Sequence, residues 1–260
     1  MQGPLLQTRR ALLATLFLLA PTSAVLAQKL VAGANGQPLS LNDAVARAQD
    51  GDTIELLPGD YRGGLVLNQR KLTLRGVGKV TVKGEGKLNG NGDIKALWTV
   101  RGGDVTIDNV SFRGARAADG GGAGVRQEGG RLTLRGCQMF DNEYGLLAIN
   151  DERAEVVIEN SVFGLAPKVV GGLHHLVSIG RINKFSVTGS RFQQGFEGHL
   201  IKTRARENLI AYNMIHDGVR GGASYEINVA DGGMATIIGN VIGQGADSQN
   251  PTIVAYGTDG

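Results

Sequence analysis

One cysteine, one tryptophan, six prolines and no apolar run much beyond ten residues set the first limits on this chain of 260 amino acids. Cys137 has no second cysteine to pair with, so an internal disulfide is excluded, and no CxxC or cysteine–histidine spacing offers a structural zinc site. Cys137 is therefore expected to fill space rather than react. The absence of a run of about 20 apolar residues argues against a membrane-spanning helix. Charge of one sign is also missing. The whole chain carries 27 basic and 24 acidic side chains. With no basic stripe interleaved with aromatics, nucleic acid is not an expected partner.

What the chain has in abundance is glycine. Its 41 glycines among 260 residues are more than twice the usual share of roughly 7 %. They follow no Gly-X-Y period, which excludes collagen. The 42 % hydrophobic and 20 % charged content argues against disorder. Glycine spread from Gly33 to the end disfavours long helices and favours many short strands joined by turns.

The first 27 residues stand apart. Arg9 and Arg10 precede the largely apolar run Ala11 to Ala20, and Val25-Leu26-Ala27 supplies small residues before an expected cut at Ala27/Gln28. This is the pattern of a secretory leader. Thr8-Arg9-Arg10-Ala11-Leu12-Leu13 also resembles a twin-arginine signal, so the general and twin-arginine routes both stay open. The expected location is secreted or periplasmic, and the protein is not expected to be integral to a membrane. Residues 28–260 then form a single expected domain, nearly neutral because the leader removes two arginines and no acid.

One helix is predicted, over Leu41 to Gln49 within a terminal cap of about 40–50. Ser40 and Asp43 make a capping-box pattern, Leu41, Ala44, Val45 and Ala48 recur at helical spacing, and Gly51 suits the C-terminal turn. From Thr53 onward a repeat takes over. Short strands with apolar residues two and four positions back reach a glycine or asparagine at Gly76, Asn109, Gly136, Asn160, Gly189, Asn213 and Asn240, at intervals of 24 to 33 residues. Side chains alternate along a strand, so Leu74, Ile107, Leu134, Ile158, Val187, Ala211 and Ile238 are expected to share one interior. The anchors themselves suit positive φ at a sharp corner. Asparagines stacked about 4.8 Å apart can pair along the axis. Outward Ile210, Tyr212 and Ile237 contrast with polar Thr106, Asp108 and Arg135, so a cover over the later coils is expected.

This organisation resembles the right-handed parallel β-helix proteins of the pectate-lyase-like superfamily over Leu41 to Gly260. The carriers are the amphipathic first helix, the Gly51-Asp52-Thr53-Ile54 to Pro58-Gly59-Asp60-Tyr61 opening, and the coils themselves. The resemblance implies an all-β right-handed parallel β-helix solenoid with a short N-terminal capping helix and coils over about 53–260. It fixes no reaction, because that superfamily holds lyases, hydrolases, epimerases, esterases and adhesins. The chain stops at Gly260 soon after a strand at Thr252 to Tyr256. Two expectations follow: further coils beyond this sequence, or association of that end with a partner.

Chemistry must come from side chains pointing out of the solenoid. Strands are expected at His175 to Ile179, His199 to Thr203 and Tyr225 to Val229, and two registers are open for them. One aligns Leu176, Leu200 and Ile227 and brings His175, His199 and Glu226 into one outer column. The preferred one stacks Val177, Ile201 and Ile227 inside and turns Leu200, Lys202 and Arg204 outward, with Ser178, Lys202 and Asn228 in one outer column and Glu226 close by. A slip of one residue reverses every side chain. On the preferred register Lys202, Arg204 and Glu226 are the catalytic candidates, and His199, Arg206 and Asn228 the substrate-binding ones. His175 and His199 are expected to stack with Tyr225 at the inner edge.

A cationic groove suits an acidic polysaccharide, because Arg and Lys pair with uronate carboxylates. Neutralising that carboxylate acidifies the C5 proton that a base removes in β-elimination. The stretch His199 to Asn213 also resembles, over about fifteen residues, the alginate and dermatan-sulfate lyase family. There a strand with an Asn-Lys-Ser run leads through an asparagine to the next strand. Here Lys202-Thr203 or Arg204-Ala205 takes the Lys-Ser place, and Tyr225-Glu226-Ile227-Asn228 stands where that family has a catalytic arginine. Its acidic calcium ligands have no evident counterpart, so no metal ligand is assigned and calcium stays open as a cofactor. Two functions remain: a lyase- or epimerase-like enzyme on a uronate-containing polysaccharide, or a non-catalytic carbohydrate-binding or surface scaffold. Trp98 is expected to be buried, Asp151-Glu152-Arg153 to form an exposed turn, and Lys83 to Lys95 and Ala115 to Gly124 to form loops.

Overall fold

Strands stack in three parallel sheets, of nine, eight and eight strands, and the chain visits the first, second and third sheet in rotation. This is a parallel β-solenoid of about eight turns with almost no helix, as the repeat leads one to expect. The computed structural model describes residues 27–259 except 69, 87, 89–94 and 170–171. The leader expected over 1–27 therefore lies outside the described residues save for Ala27, and so does most of the Lys83 to Lys95 loop. Among the described residues no helix is long and apolar enough to cross a membrane.

The helix at Leu41–Arg47 is shorter than the predicted span. The Ser40 hydroxyl accepts the Asp43 N–H at 3.1 Å, and Ala44 is buried. The two faces of the sheets divide the work. Inside, Leu74, Ile107, Leu134, Ile158 and Val187 are fully buried in successive rungs of the first sheet, and Trp98 meets Phe112 edge-on at 5.0 Å in the same core. Burial pushes the Cys137 thiol up to about 12, so it is an inert filler of this interior. Outside, ion pairs such as Arg75–Asp108 at 3.2 Å and Arg135–Glu159 at 2.8 Å join neighbouring rungs.

The corner between the first and second sheets departs from expectation in three coils. Positive φ falls on Asn109, Gly136, Asn160 and Gly189 as predicted, but on Gly78, Tyr212 and Gly239 rather than Gly76, Asn213 and Asn240. In the last two coils the turn comes one residue early, and the strand faces reverse. Val187 pairs with Ile210 and then Ile237, so those isoleucines face inward and Ala211 and Ile238 do not. The expectation of a covered outer face resting on Ile210 and Ile237 therefore falls; of that set only Tyr212 is exposed.

Asn213 and Asn240 instead begin the next segment and extend an interior polar file. The Cys137 N–H donates to Ser161 Oγ at 3.0 Å, the Ser161 N–H to Ser190 Oγ at 3.1 Å, the Ser190 N–H to Asn213 Oδ1 at 2.9 Å, and the Asn213 N–H to Asn240 Oδ1 at 2.9 Å. Each side chain thus satisfies a buried backbone donor one rung back. The expected asparagine pairing exists here, with Asn213 Nδ2 donating to Asn240 Oδ1 at 3.0 Å.

In the third sheet the strands Val177–Ile179, Ile201–Thr203 and Ile227–Val229 adopt the preferred register: Val177, Ile201 and Ile227 align, as do Ser178, Lys202 and Asn228. A bend just before each strand breaks the alternation, however, so two consecutive residues enter the interior: Leu176 with Val177, Leu200 with Ile201, and Glu226 with Ile227. Leu200 is therefore buried, not outward. Asp151-Glu152-Arg153 is a bulge inside the strand Asp151–Glu159 rather than a turn: four steps of chain there face the two between Ile182 and Lys184.

Candidate functional site

The outer face of the third sheet gathers five of the six predicted site residues and excludes one. Lys202 sits between Ser178 and Asn228 in the outer column, and Arg204 and Arg206 follow in the turn that leads to the first sheet. Glu226 does not join them. Its side chain takes the interior place that Leu176 and Leu200 take in earlier rungs, fully buried, with the Gln244 amide beside its carboxyl. Burial pushes its carboxyl up to about 7, against the pull of the neighbouring Gln244 amide and reinforced by the Asp217 carboxylate. The bend before the strand is the physical reason. The sequence signal was present in the leucines that occupy this column in the two preceding rungs.

The cations are not bare. Lys202 Nζ lies 3.4 Å from Asp259 Oδ2, and Arg204 Nη2 donates to that same oxygen. Arg204 Nε stands 3.1 Å from Asp231 Oδ1, and Arg181 Nε donates to Asp231 Oδ2 at 2.6 Å. Burial acts to raise the Asp259 carboxyl, but Arg204 and Lys202 outweigh it and hold it below the usual carboxylate range. Asp231, Asp259 and Arg181 were missed in the sequence. The two acids lie in turns that follow successive third-sheet strands, and nothing local distinguishes them from ordinary turn aspartates. Arg206 is more exposed; its Nη2 donates to Asn183 Oδ1 at 2.7 Å.

Beside this column runs a ladder of rings. His175 stacks on His199 with centroids 4.6 Å apart and planes 18° apart, and His199 on Tyr225 at 4.9 Å, while Tyr144 meets His175 edge-on at 6.0 Å. The stacking was expected, but it borders the outer column and not an inner edge: His199 Nε2 lies 3.4 Å from the Asn228 amide. The His199 N–H donates to His175 Nδ1 at 2.8 Å, and the Tyr225 N–H to His199 Nδ1 at 3.3 Å. With Nδ1 accepting, the neutral ring carries its proton on Nε2. Burial, with help from Lys202, lowers the His199 imidazole to about 4, and burial with His199 lowers His175 well below the ordinary range. Asn228 Oδ1 accepts the Thr258 hydroxyl at 3.0 Å.

This arrangement sets the edges of an uncharged ring ladder next to two cations, Lys202 and Arg204, that share the Asp259 carboxylate. Ring-edge contacts and carboxylate pairing are the two interactions it can supply. Among the described residues no three His, Cys, Asp or Glu side chains converge to hold a metal ion.

No family model matches the chain, and no curated protein matches it in sequence. Among solved structures it is similar to a pectin methylesterase from Aspergillus niger, with 13 % identity, 86 % of this chain and 87 % of that one covered, and a TM-score of 0.50. The fold shared with that structure is the parallel β-helix. The PL6 family alginate lyase AlyGC is also similar, at 15 % identity, 88 % of this chain and 39 % of that one, with a TM-score of 0.42. A mutant form of that lyase gives 17 % identity, 88 % and 38 % coverage, and a TM-score of 0.46. At these identities the likeness is one of fold alone.

Proposed function

We propose that this chain is an exported, polysaccharide-active β-helix protein that binds an acidic, uronate-containing polymer along the outer face of the third sheet and acts on it as a lyase or epimerase. The observation that carries the reading is the juxtaposition of the His175–His199–Tyr225 ring ladder with Lys202 and Arg204, whose carboxylate partner Asp259 stands where a uronate carboxylate can replace it. The leader with Arg9, Arg10 and the apolar run to Ala20 supports export. Acidic polysaccharides are also what the similar structures' names point to: pectin for one, alginate for the others.

In this reading a sugar ring lies against the ladder edge, Arg204 takes the uronate carboxylate through its planar fork, and Lys202, in its neutral amine form after releasing a proton to solvent, accepts the C5 proton that the paired carboxylate has made more acidic. His199 Nε2–H and Asn228 hold ring hydroxyls. Expulsion of the 4-O substituent gives the lyase product; return of a proton to the opposite face gives the epimer. Both begin with the same proton removal. Glu226 has no part in this chemistry because its carboxyl is sealed inside.

The test is incubation with alginate, pectate and glycosaminoglycans while the unsaturated-uronate absorbance is followed, with NMR of the recovered sugar to detect inversion at C5. Turnover that Lys202→Ala and Arg204→Ala abolish is the expected result. Retention on an acidic polymer with no turnover assigns the non-catalytic binding role, and turnover that both variants leave untouched rules out this site.

A further inference from the structure

The turns from the third sheet to the first enclose a cleft of about 390 Å³ that continues from the Lys202 column and has its own chemistry. Three arginines line it: Arg181, Arg204 and Arg206, one coil apart or two residues apart along the turn. The bulge at Asp151–Glu155 puts Glu152 at the rim. On the other side Gly232 and Gly233, at φ of 76° and 93°, present no side chain. Asp231 holds the floor. It accepts Arg181 Nε through Oδ2, which leaves the terminal nitrogens of Arg181 without a partner among the described residues. Its Oδ1 is shielded from solvent and lies 3.1 Å from Arg204 Nε, so Arg181 and Arg204 between them engage both carboxylate oxygens. Arg204 is also paired with Asp259 and Arg206 stands 3.8 Å from Glu207, so Arg181 is the guanidinium of the cleft with unengaged terminal nitrogens among the described residues.

A guanidinium with free terminal nitrogens asks for a planar or tetrahedral oxyanion. We propose that this cleft is a second sugar subsite, taking a ring that bears an anionic substituent, a carboxylate or a sulfate ester, with the terminal nitrogens of Arg181, and Arg206, on the anion. The inference rests on the acidic-polysaccharide reading and deepens it: the polymer is charged on more than one ring, and Arg181 selects for that second charge. Glu152 at the rim limits the cleft to one anion.

Isothermal titration calorimetry of the full chain with an oligouronate, a sulfated oligosaccharide and a neutral oligosaccharide tests this. Arg181→Gln is expected to weaken binding of the charged ligand about 10-fold, a change typical for loss of one charge-assisted contact, and to leave neutral-ligand binding unchanged. The charged ligand that loses more affinity in Arg181→Gln identifies the substituent as carboxylate or sulfate. If Arg181→Gln and Arg206→Gln bind both charged ligands as tightly as wild type while Lys202→Gln does not, the subsite is refuted and the proposed function stands. If wild type binds neither charged ligand, both fall together.

Discussion

Glu226 and Leu200 occupy adjacent rungs of one interior column, each fully buried, with the Glu226 carbonyl accepting the N–H of Ile201 at 3.0 Å. A carboxyl thus stands where the preceding rungs place a leucine side chain. Burial favours its neutral form and pushes the carboxyl up to about 7, against an ordinary value near 4.5. The folded chain then binds more protons than the unfolded chain between those values. Stability is full below about 4.5 and is lost as pH rises toward 7, by up to about 3 kcal/mol if the whole difference is expressed. Chemical denaturation from pH 4 to 8 is expected to show this decline, and Glu226→Gln or Glu226→Leu is expected to remove it.

The histidine ladder acts in the opposite sense. His175 and His199 are kept neutral, with His199 lowered to about 4, while an unfolded imidazole titrates near 6.5. The unfolded chain binds more protons in that window, so the ladder's contribution is intact above 6.5 and is lost as pH falls toward 4. The double variant His175→Asn with His199→Asn is expected to flatten the acid limb of the same denaturation profile, leaving the limb that belongs to Glu226 in place.

Much of this architecture is legible in the residues themselves. Alternation of apolar side chains fixes the interior of the first five rungs of the first sheet, because one slip there exposes Ile107, Leu134 or Phe185. The last two rungs mislead because Asn213 and Asn240 satisfy the same turn preference as Asn109 while serving another purpose. They cap buried N–H groups, and the corner passes to Tyr212, an unusual residue at φ 57°. At the site, residues local to one strand could be read: Lys202, Arg204 and Asn228. Asp231, Asp259 and Arg181 could not, since they come together only through stacking of four coils. Glu226 was misplaced by a bend that period-two reasoning does not contain.

The polar file gives a stability test. Asn213→Ala strips the Ser190 N–H and the Val187 carbonyl of their partners and is expected to cost about 1–3 kcal/mol. Asn213→Ser supplies the oxygen that Ser161 and Ser190 supply in earlier rungs and is expected to recover part of that loss. Equal destabilisation by both variants counts against a capping role for the Asn213 oxygen.

Asp259 competes with any anionic ligand for Lys202 and Arg204. Asp259→Asn is expected to tighten binding of an oligouronate about 5-fold, corresponding to an exposed ion pair of roughly 1 kcal/mol. The same variant is expected to steepen the loss of affinity with added salt, since Lys202 and Arg204 then meet the ligand without Asp259 between them. Calorimetry at two salt concentrations measures both effects, and weaker binding by Asp259→Asn contradicts the competition.

The most direct measurement is zero-length carbodiimide coupling of an oligouronate to the protein, followed by peptide mass spectrometry, because an amide forms only where a lysine amine touches the sugar carboxylate. The account predicts attachment at Lys202, suppressed by excess free oligouronate and absent in Lys202→Arg. Attachment confined to other lysines, or none at Lys202 while the polymer is demonstrably bound, contradicts it.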